Sequence, residues 1–202
     1  MKRAERKQRT HQRIVNVAAR RFREEGLAGA GVQRIMEEAG LTHGTFYSHF
    51  DSKADLVAEA LVSTLTKQRK RAAQAIGDRP GPEQLGRFVA DYLSRAHRDA
   101  PGTGCPMPSL GAEVMRASAA LRRAFDAELR ESFAQVESAA RREVDAMDPE
   151  EIHTRSIGIV ALCVGGMLLA RAVEDSKLSD DILRSCRRFA GGGAREEKEA
   201  RS

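Results

Sequence analysis

Residues 32 to 49 constrain this chain more than any other stretch. Val32, Ile35, Met36 and Ala39 line one face of two helical turns, Gly40 ends them, and after Leu41 and Thr42 a second short helix runs from His43 to His49. Two short helices joined by a three-residue break with a glycine in it make a helix-turn-helix, whose second helix can lie in the DNA major groove. The chemistry of that second helix agrees. Thr42, His43, Thr45, Tyr47 and His49 offer polar groups on the face away from Phe46 and Phe50, which are expected in the core. Gly44 lets the backbone approach a phosphate closely, and Lys53 adds a positive charge one turn on.

The flanking pattern is helical throughout. Ile14, Val15, Ala18 and Phe22 predict a first amphipathic helix from about Thr10 to Glu25, capped at Gly26. Ser52 and Asp55 have capping-box spacing and open a long helix to about Ile76. After a break at Gly77 to Pro82, a fifth helix carries Leu85, Phe88, Val89, Tyr92 and Leu93. The Gly/Pro-rich segment from Ala100 to Pro108 precedes a short helix over Leu110 to Met115, and a long stripe runs from Leu121 to Met147. Asp148 and Pro149 start the next helix, which reaches about Glu174; Ser179 is read as the cap of a last one, with Leu178, Ile182, Leu183, Cys186 and Phe189 on its buried side. Ala, Leu, Arg and Glu dominate while aromatics are 4%, which favours helices over sheets. The expected fold is all-α, with about nine helices. An N-terminal three-helix DNA-binding domain spans residues 8–68, with the helix-turn-helix at about 31–50. A helical ligand-binding and dimerisation domain follows at 69–190, then a flexible polar tail at 191–202.

Charge is unevenly placed. Residues 1 to 53 hold eleven Lys/Arg against six Asp/Glu, whereas the remainder carries twenty-three of each, so the net +5 lies in the first quarter. That distribution fits a polyanion-binding head, and equally a solvated basic tail. Arg3, Arg6, Lys7 and Arg9 could follow a minor groove or form a nonspecific arm. Cys105, Cys163 and Cys186 are odd in number and widely spaced, which suggests neither a disulfide framework nor a metal site, and points to a cytoplasmic protein with free thiols. No secretory signal is read at the N-terminus. The uncharged stretch Ile157 to Ala170 is shorter than the roughly 20 residues a membrane helix needs, so no membrane partner is expected. The chain has no Gly-rich phosphate loop and no G-x-S-x-G, and His97 and His153 lack metal-ligand companions, so neither an enzyme nor a cofactor is expected. A nonspecific DNA-binding protein is the alternative to a sequence-specific regulator.

Between Ile157 and Ala170 the penultimate helix is apolar almost all round, so one face should pack inside the subunit and another against a partner. Gly158, Ala161, Gly165, Gly166 and Ala170 permit close helix approach. Together with Cys163, Ile182 and Cys186 they define a candidate homodimer seam, although a wholly internal helix would show the same pattern.

The stretch VQRIMEEAGLTHGTFYSHFDSKADL, behind a basic arm and an amphipathic helix, resembles the DNA-binding head of the TetR family of bacterial transcriptional regulators over about residues 8 to 68. Its G-x-F-Y-x-H-F-x-S-K core, from Gly44 to Lys53, is the specific part; Val32 and Met36 stand where the family usually has Thr and Ala. The resemblance implies that Thr42, Thr45, Tyr47, His49 and Lys53 hold phosphates of double-stranded DNA, while Gln33, Arg34 and His43 are placed to reach bases of a palindromic operator. It also implies a homodimer through the last two helices and, by family habit, repression relieved by a small effector bound among the middle helices. Phe88, Tyr92, Met107, Phe125, Phe133 and Met167 are candidate pocket walls, and would equally make a plain core. The G-C-P-x-x-x-L-x-x-E pattern from Gly104 to Glu113 looks like a branch of these regulators with a GCPxxxL segment before the sixth helix, some of which sense electrophiles or oxidants through the cysteine. Cys105 is therefore a candidate sensor, expected partly exposed beside a helix N-terminus; the alternative is a small wall residue.

Overall fold

A computed structural model describes residues 3–77, 84–143 and 148–191, and among these every regular element is helical. In chain order they are α1 (Arg3–Gly29), α2 (Val32–Glu38), α3 (His43–Phe46), α4 (Lys53–Gly77), α5 (Gln84–Tyr92), α6 (Arg95–Asp99), a 3-10 turn (Pro101–Thr103), α7 (Met107–Val114), α8 (Ala119–Glu143), α9 (Pro149–Ala172) and α10 (Ser176–Ala190). Of the tail expected at 191–202, all but Gly191 lies outside the described residues.

The chain divides into two compact units. The first comprises Met1–Lys67 with Pro101–Glu128, the second Gln68–Ala100 with Leu129–Ser202. One cut thus falls after Lys67, and residues 101–128 are packed with the N-terminal segment rather than with the second unit. In this first unit Ile14, Val15, Ala18 and Phe22 of α1 are buried, as are Ile35 and Met36 of α2, Phe46 and Phe50 around α3, and Leu56, Val57, Ala60 and Leu61 of α4. Met107, Leu110 and Val114 bury one face of α7. Burying each of the larger side chains contributes on the order of 1.5–3 kcal/mol.

Local chemistry explains the turns. After α2, Gly40 takes φ +64, the Leu41 N–H donates to the Met36 carbonyl at 2.9 Å and the Gly40 N–H to Glu37 at 2.9 Å, the paired bonds of a Schellman stop that a side chain at position 40 would strain. α3 is shorter than expected. Past Phe46 the chain tightens, with Ser48 N–H bonding Thr45 and His49 N–H bonding Phe46, while the Ser48 hydroxyl also takes the Thr45 carbonyl at 2.7 Å. At α4 the Asp55 N–H donates to Ser52 Oγ at 3.2 Å, as the capping pattern predicted. α1 starts seven residues ahead of Thr10, so the basic residues Arg3, Arg6, Lys7 and Arg9 lie on a helix. At Gly26 (φ 76, ψ 169) α1 breaks where its end was expected, then resumes to Gly29.

The second unit is built on Leu85, Val89 and Leu93, Val136 and Ala140, and the inward side of α9 and α10. The fifth helix forms as expected, whereas the expected start of the last one fails. The predicted fifth helix stops at Tyr92, because Ser94 caps a separate turn, α6, by accepting the His97 N–H at 3.1 Å; this makes ten α-helices among the described residues. α10 begins at Ser176 rather than near Ser179. Asp175 caps it, accepting from Lys177 and Leu178 N–H groups, while Ser179 is buried one turn in and donates to the Ala170 carbonyl at 2.6 Å. Leu178 and Phe189, expected inside, are 47% and 76% exposed, because the buried face is that of Ser179, Leu183 and Ala190 and both residues lie about a third of a turn away from it.

Candidate nucleic-acid interface

α2 and α3 present a continuous polar surface. Gln33 and Arg34 are exposed on α2, as are Thr42, His43, Gly44 and Tyr47 at and after the start of α3, while Thr45 and His49 are half-buried. Phe46 and Phe50, 2% and 5% exposed, stack 5.5 Å apart and anchor this surface from below. Tyr47 stands edge-on to both Phe46 and His43 and is 65% exposed. Thr42 and Thr45 hydroxyls pair at 2.9 Å across the first turn. A Cβ added at Gly44 would meet nothing within 4 Å, so no internal packing demands that glycine, and its surface stays open to a close neighbour. Gln33 is paired by its amide with Glu37 at 2.9 Å, an exposed bond that is cheaply exchanged for a base edge.

Two residues differ from a simple phosphate-holding role. The Lys53 ammonium donates to the Leu27 carbonyl at 2.6 Å, joining the start of α4 to the end of α1. It keeps further hydrogens for a phosphate. His49 leans inward beside His11, ring centres 5.5 Å apart, with its Nδ1 buried and unpartnered among the described residues. Burial depresses its pKa below the ordinary histidine value, and the nearby His11 and Lys7 charges push the same way. His11, which sequence reasoning passed over, stacks on Phe50 at 4.6 Å and pairs with Glu59 at 2.7 Å. No local pattern could reveal a partner 48 residues away.

The seam candidates separate into two sets. Gly158 and Ala161 are exposed and Gly165, Ile182 and Cys186 half-buried, alongside exposed Ile157, Leu168 and Leu169. Cys163, Gly166 and Ala170 instead face the subunit's own core; a Cβ at Gly166 would lie 2.7 Å from Cys186 Sγ. Those three are therefore internal packing positions, because at 3.6 residues per turn they share the face of Ile159 and Met167. By length and composition alone α9 is apolar enough to cross a membrane, though Ile159, Cys163 and Met167 on it are buried in the chain. Its Arg171 bonds the carbonyls of His97 and Arg98, capping α6.

The pocket candidates also divide. Cys105, Met107 and Phe125 belong to the first unit, Phe88, Tyr92, Phe133 and Met167 to the second. Cys105 is 7% exposed, buried rather than partly exposed, because the turn ahead of α7 folds it inward. Cys163 is buried too, and burial raises the Cys186 thiol pKa above its ordinary value. Among the described residues no group of His, Cys, Asp and Glu forms a metal site.

Comparison with known proteins places this geometry. Residues 14–60 match the family described as "Bacterial regulatory proteins, tetR family". The HTH-type transcriptional regulator TtgR of Pseudomonas putida is 35% identical over 39% of this chain and 37% of its own length. The chain spans between 24% and 37% of the length of the first curated relatives it matches. LmrA of Bacillus subtilis, also an HTH-type transcriptional regulator, is 25% identical over 83% of this chain and 89% of its own. The reduced form of NemR from Escherichia coli superposes with a TM-score of 0.76 at 20% identity, covering 90% of this chain and 94% of that one. The N-terminal head thus matches the TetR family over residues 14–60, and the chain as a whole has the fold of the TetR-type structures on which it superposes.

Proposed function

We propose that this protein is a sequence-specific DNA-binding transcriptional regulator, a homodimer that represses from a palindromic operator until an effector releases it. The observation that carries the reading is the exposed row Gln33, Arg34, Thr42, His43 and Tyr47 on a buried aromatic base, in a head of the TetR family. Thr42, Thr45, Tyr47, His49 and Lys53 hold phosphates and set register; Gln33, Arg34 and His43 read bases. The exposed apolar residues Ile157, Leu168 and Leu169 of α9 with Leu178 and Phe189 of α10 supply the dimer contact, and two-fold symmetry then places two heads on half-sites about one DNA turn apart. The effector is a small molecule or a thiol-reactive compound. Cys105 stands immediately ahead of Pro106, the cap of α7, so an adduct on its buried sulfur would displace that helix. Release follows if the effector favours a form whose heads no longer match the half-site spacing.

Selection of genomic fragments by the purified protein at physiological salt tests the reading. One or a few inverted repeats should be enriched, and Gln33→Ala and His43→Ala should relax discrimination by about 1–3 kcal/mol at single base pairs. Motif-free recovery that collapses with added salt would mean phosphate binding without base reading, and would reject a sequence-specific regulator in favour of a nonspecific DNA-binding protein.

A further inference from the structure

The two motifs singled out in the sequence, the head core ending at Lys53 and the Gly104–Glu113 pattern, meet at one residue. Leu27 follows the break at Gly26, whose φ of 76 and ψ of 169 take the Leu27 N–H out of the α1 ladder. That N–H donates to both carboxylate oxygens of Glu113, at 2.9 and 3.1 Å, from the last turn of α7. The Leu27 carbonyl accepts from Lys53 Nζ at 2.6 Å. Glu113 lies close enough that a Cβ on Gly26 would come within 3.2 Å of its Oε1. A second tie runs beside it. Arg23, one turn before the break, donates to the Gly102 carbonyl and, at 3.0 Å, to Thr64 Oγ1 of α4. All of these residues lie in the first unit.

We propose that Glu113 is a positioning residue for DNA recognition: through Leu27 it fixes where α1 stops, and so where α2 presents Gln33 and Arg34. The inference rests on the DNA-binding reading above. α2 begins five residues after Leu27 and is capped by the Gly31 backbone without a side-chain bond, so its start is held by what holds the preceding turn. Ala30 N–H reaches back to the Gly26 carbonyl at 3.3 Å, which ties that turn to the break. Without an acceptor at the reach of Glu113, the partly buried Leu27 N–H is left unsatisfied and the turn loses one of its two anchors. Because α7 is only eight residues long and starts beside Cys105, a displacement at its first turn reaches Glu113 directly.

The test compares Glu113→Gln, Glu113→Asp and Glu113→Ala in the full chain. Readouts are discrimination between the selected inverted-repeat duplex and an unrelated duplex of equal length, and hydrogen exchange at the Leu27 amide. Gln keeps an acceptor at the same reach and should stay within about twofold of the parent, whereas Asp, a methylene short, and Ala should lose about tenfold in discrimination and in Leu27 protection. A purely electrostatic role would spare Asp and harm Gln, and would overturn the proposal. So would parental discrimination, or parental Leu27 protection, in both Asp and Ala. If the Ala variant does not fold, the contrast between Asp and Gln decides. If the parent selects no specific duplex, the DNA reading fails by itself, and the exchange rates still report whether Glu113 holds the turn.

Discussion

Lys53 donates its ammonium to the carbonyl of Leu27 at 2.6 Å, so the cation closing the head motif is also a strut between α4 and α1. Replacing it by Met should therefore have two effects. Thermal unfolding should show a loss of about 1–3 kcal/mol, the scale of a hydrogen bond to a charged group. Binding should weaken on all duplexes, with the salt slope lowered by about one if the same ammonium also meets a phosphate, and discrimination should fall as well because the Leu27 turn loses an anchor. An unchanged melting temperature would remove the strut.

Two histidines make stability depend on pH in the same direction. Burial lowers the pKa of His49, and His11 and Lys7 lower it further; burial likewise lowers that of His97, with Arg171 adding to the effect, although its bond to the Tyr92 carbonyl opposes it. Such groups stay neutral in the fold while the unfolded chain takes up protons as pH falls through 6.5. Stability should thus be full above that value and decline below it, until the folded-state pKa values are passed. Urea midpoints measured from about pH 7.5 to 5.5 should fall, and His97→Gln should flatten the decline.

Gly166 and Gly158 lie on the same helix with opposite surroundings. Gly166→Ala puts a methyl 2.7 Å from Cys186 Sγ and 3.3 Å from Leu93 Cδ2, and should cost about 1–3 kcal/mol at any protein concentration. Gly158→Ala meets nothing within 4 Å in the subunit and should stabilise the helix by about 0.5–1 kcal/mol. If Gly158 packs against a second copy, sedimentation should show the dimer weakened while the dilute subunit melts higher.

Cys105 is buried at 7% exposure, so its alkylation should be slow and disruptive once achieved. Treatment of the operator complex with N-ethylmaleimide should release DNA from the parent and not from Cys105→Ser, while the untreated variant binds as the parent does. Equal release from both would assign the thiol a packing role.

Periodicity made α1, α4 and α8 legible, while α9 was legible from its Asp148–Pro149 start and its unbroken apolar run. The Gly40 stop and the Ser52 cap were legible because their chemistry is local. α6 and the true start of α10 were not: Ser94 and Asp175 compete with equally good caps nearby, and packing chose between them. The recognition surface could be read from residues 42–53, yet the struts behind it could not. Leu27 and Glu113 are 86 residues apart, and neither has a short-range pattern naming the other.

The discontinuous make-up of the first unit bears on exchange of recognition specificity between regulators. A graft of residues 1–67 alone would arrive without Pro106 and Leu110, which with Phe22, Val57 and Leu61 wall one small space, and without the Gly102 carbonyl that accepts from Arg23 and the Glu113 carboxylate that accepts from Leu27. The portable module is two pieces of chain, and a chimera that keeps the recipient's residues 101–128 inherits the donor's reading surface on a foreign footing.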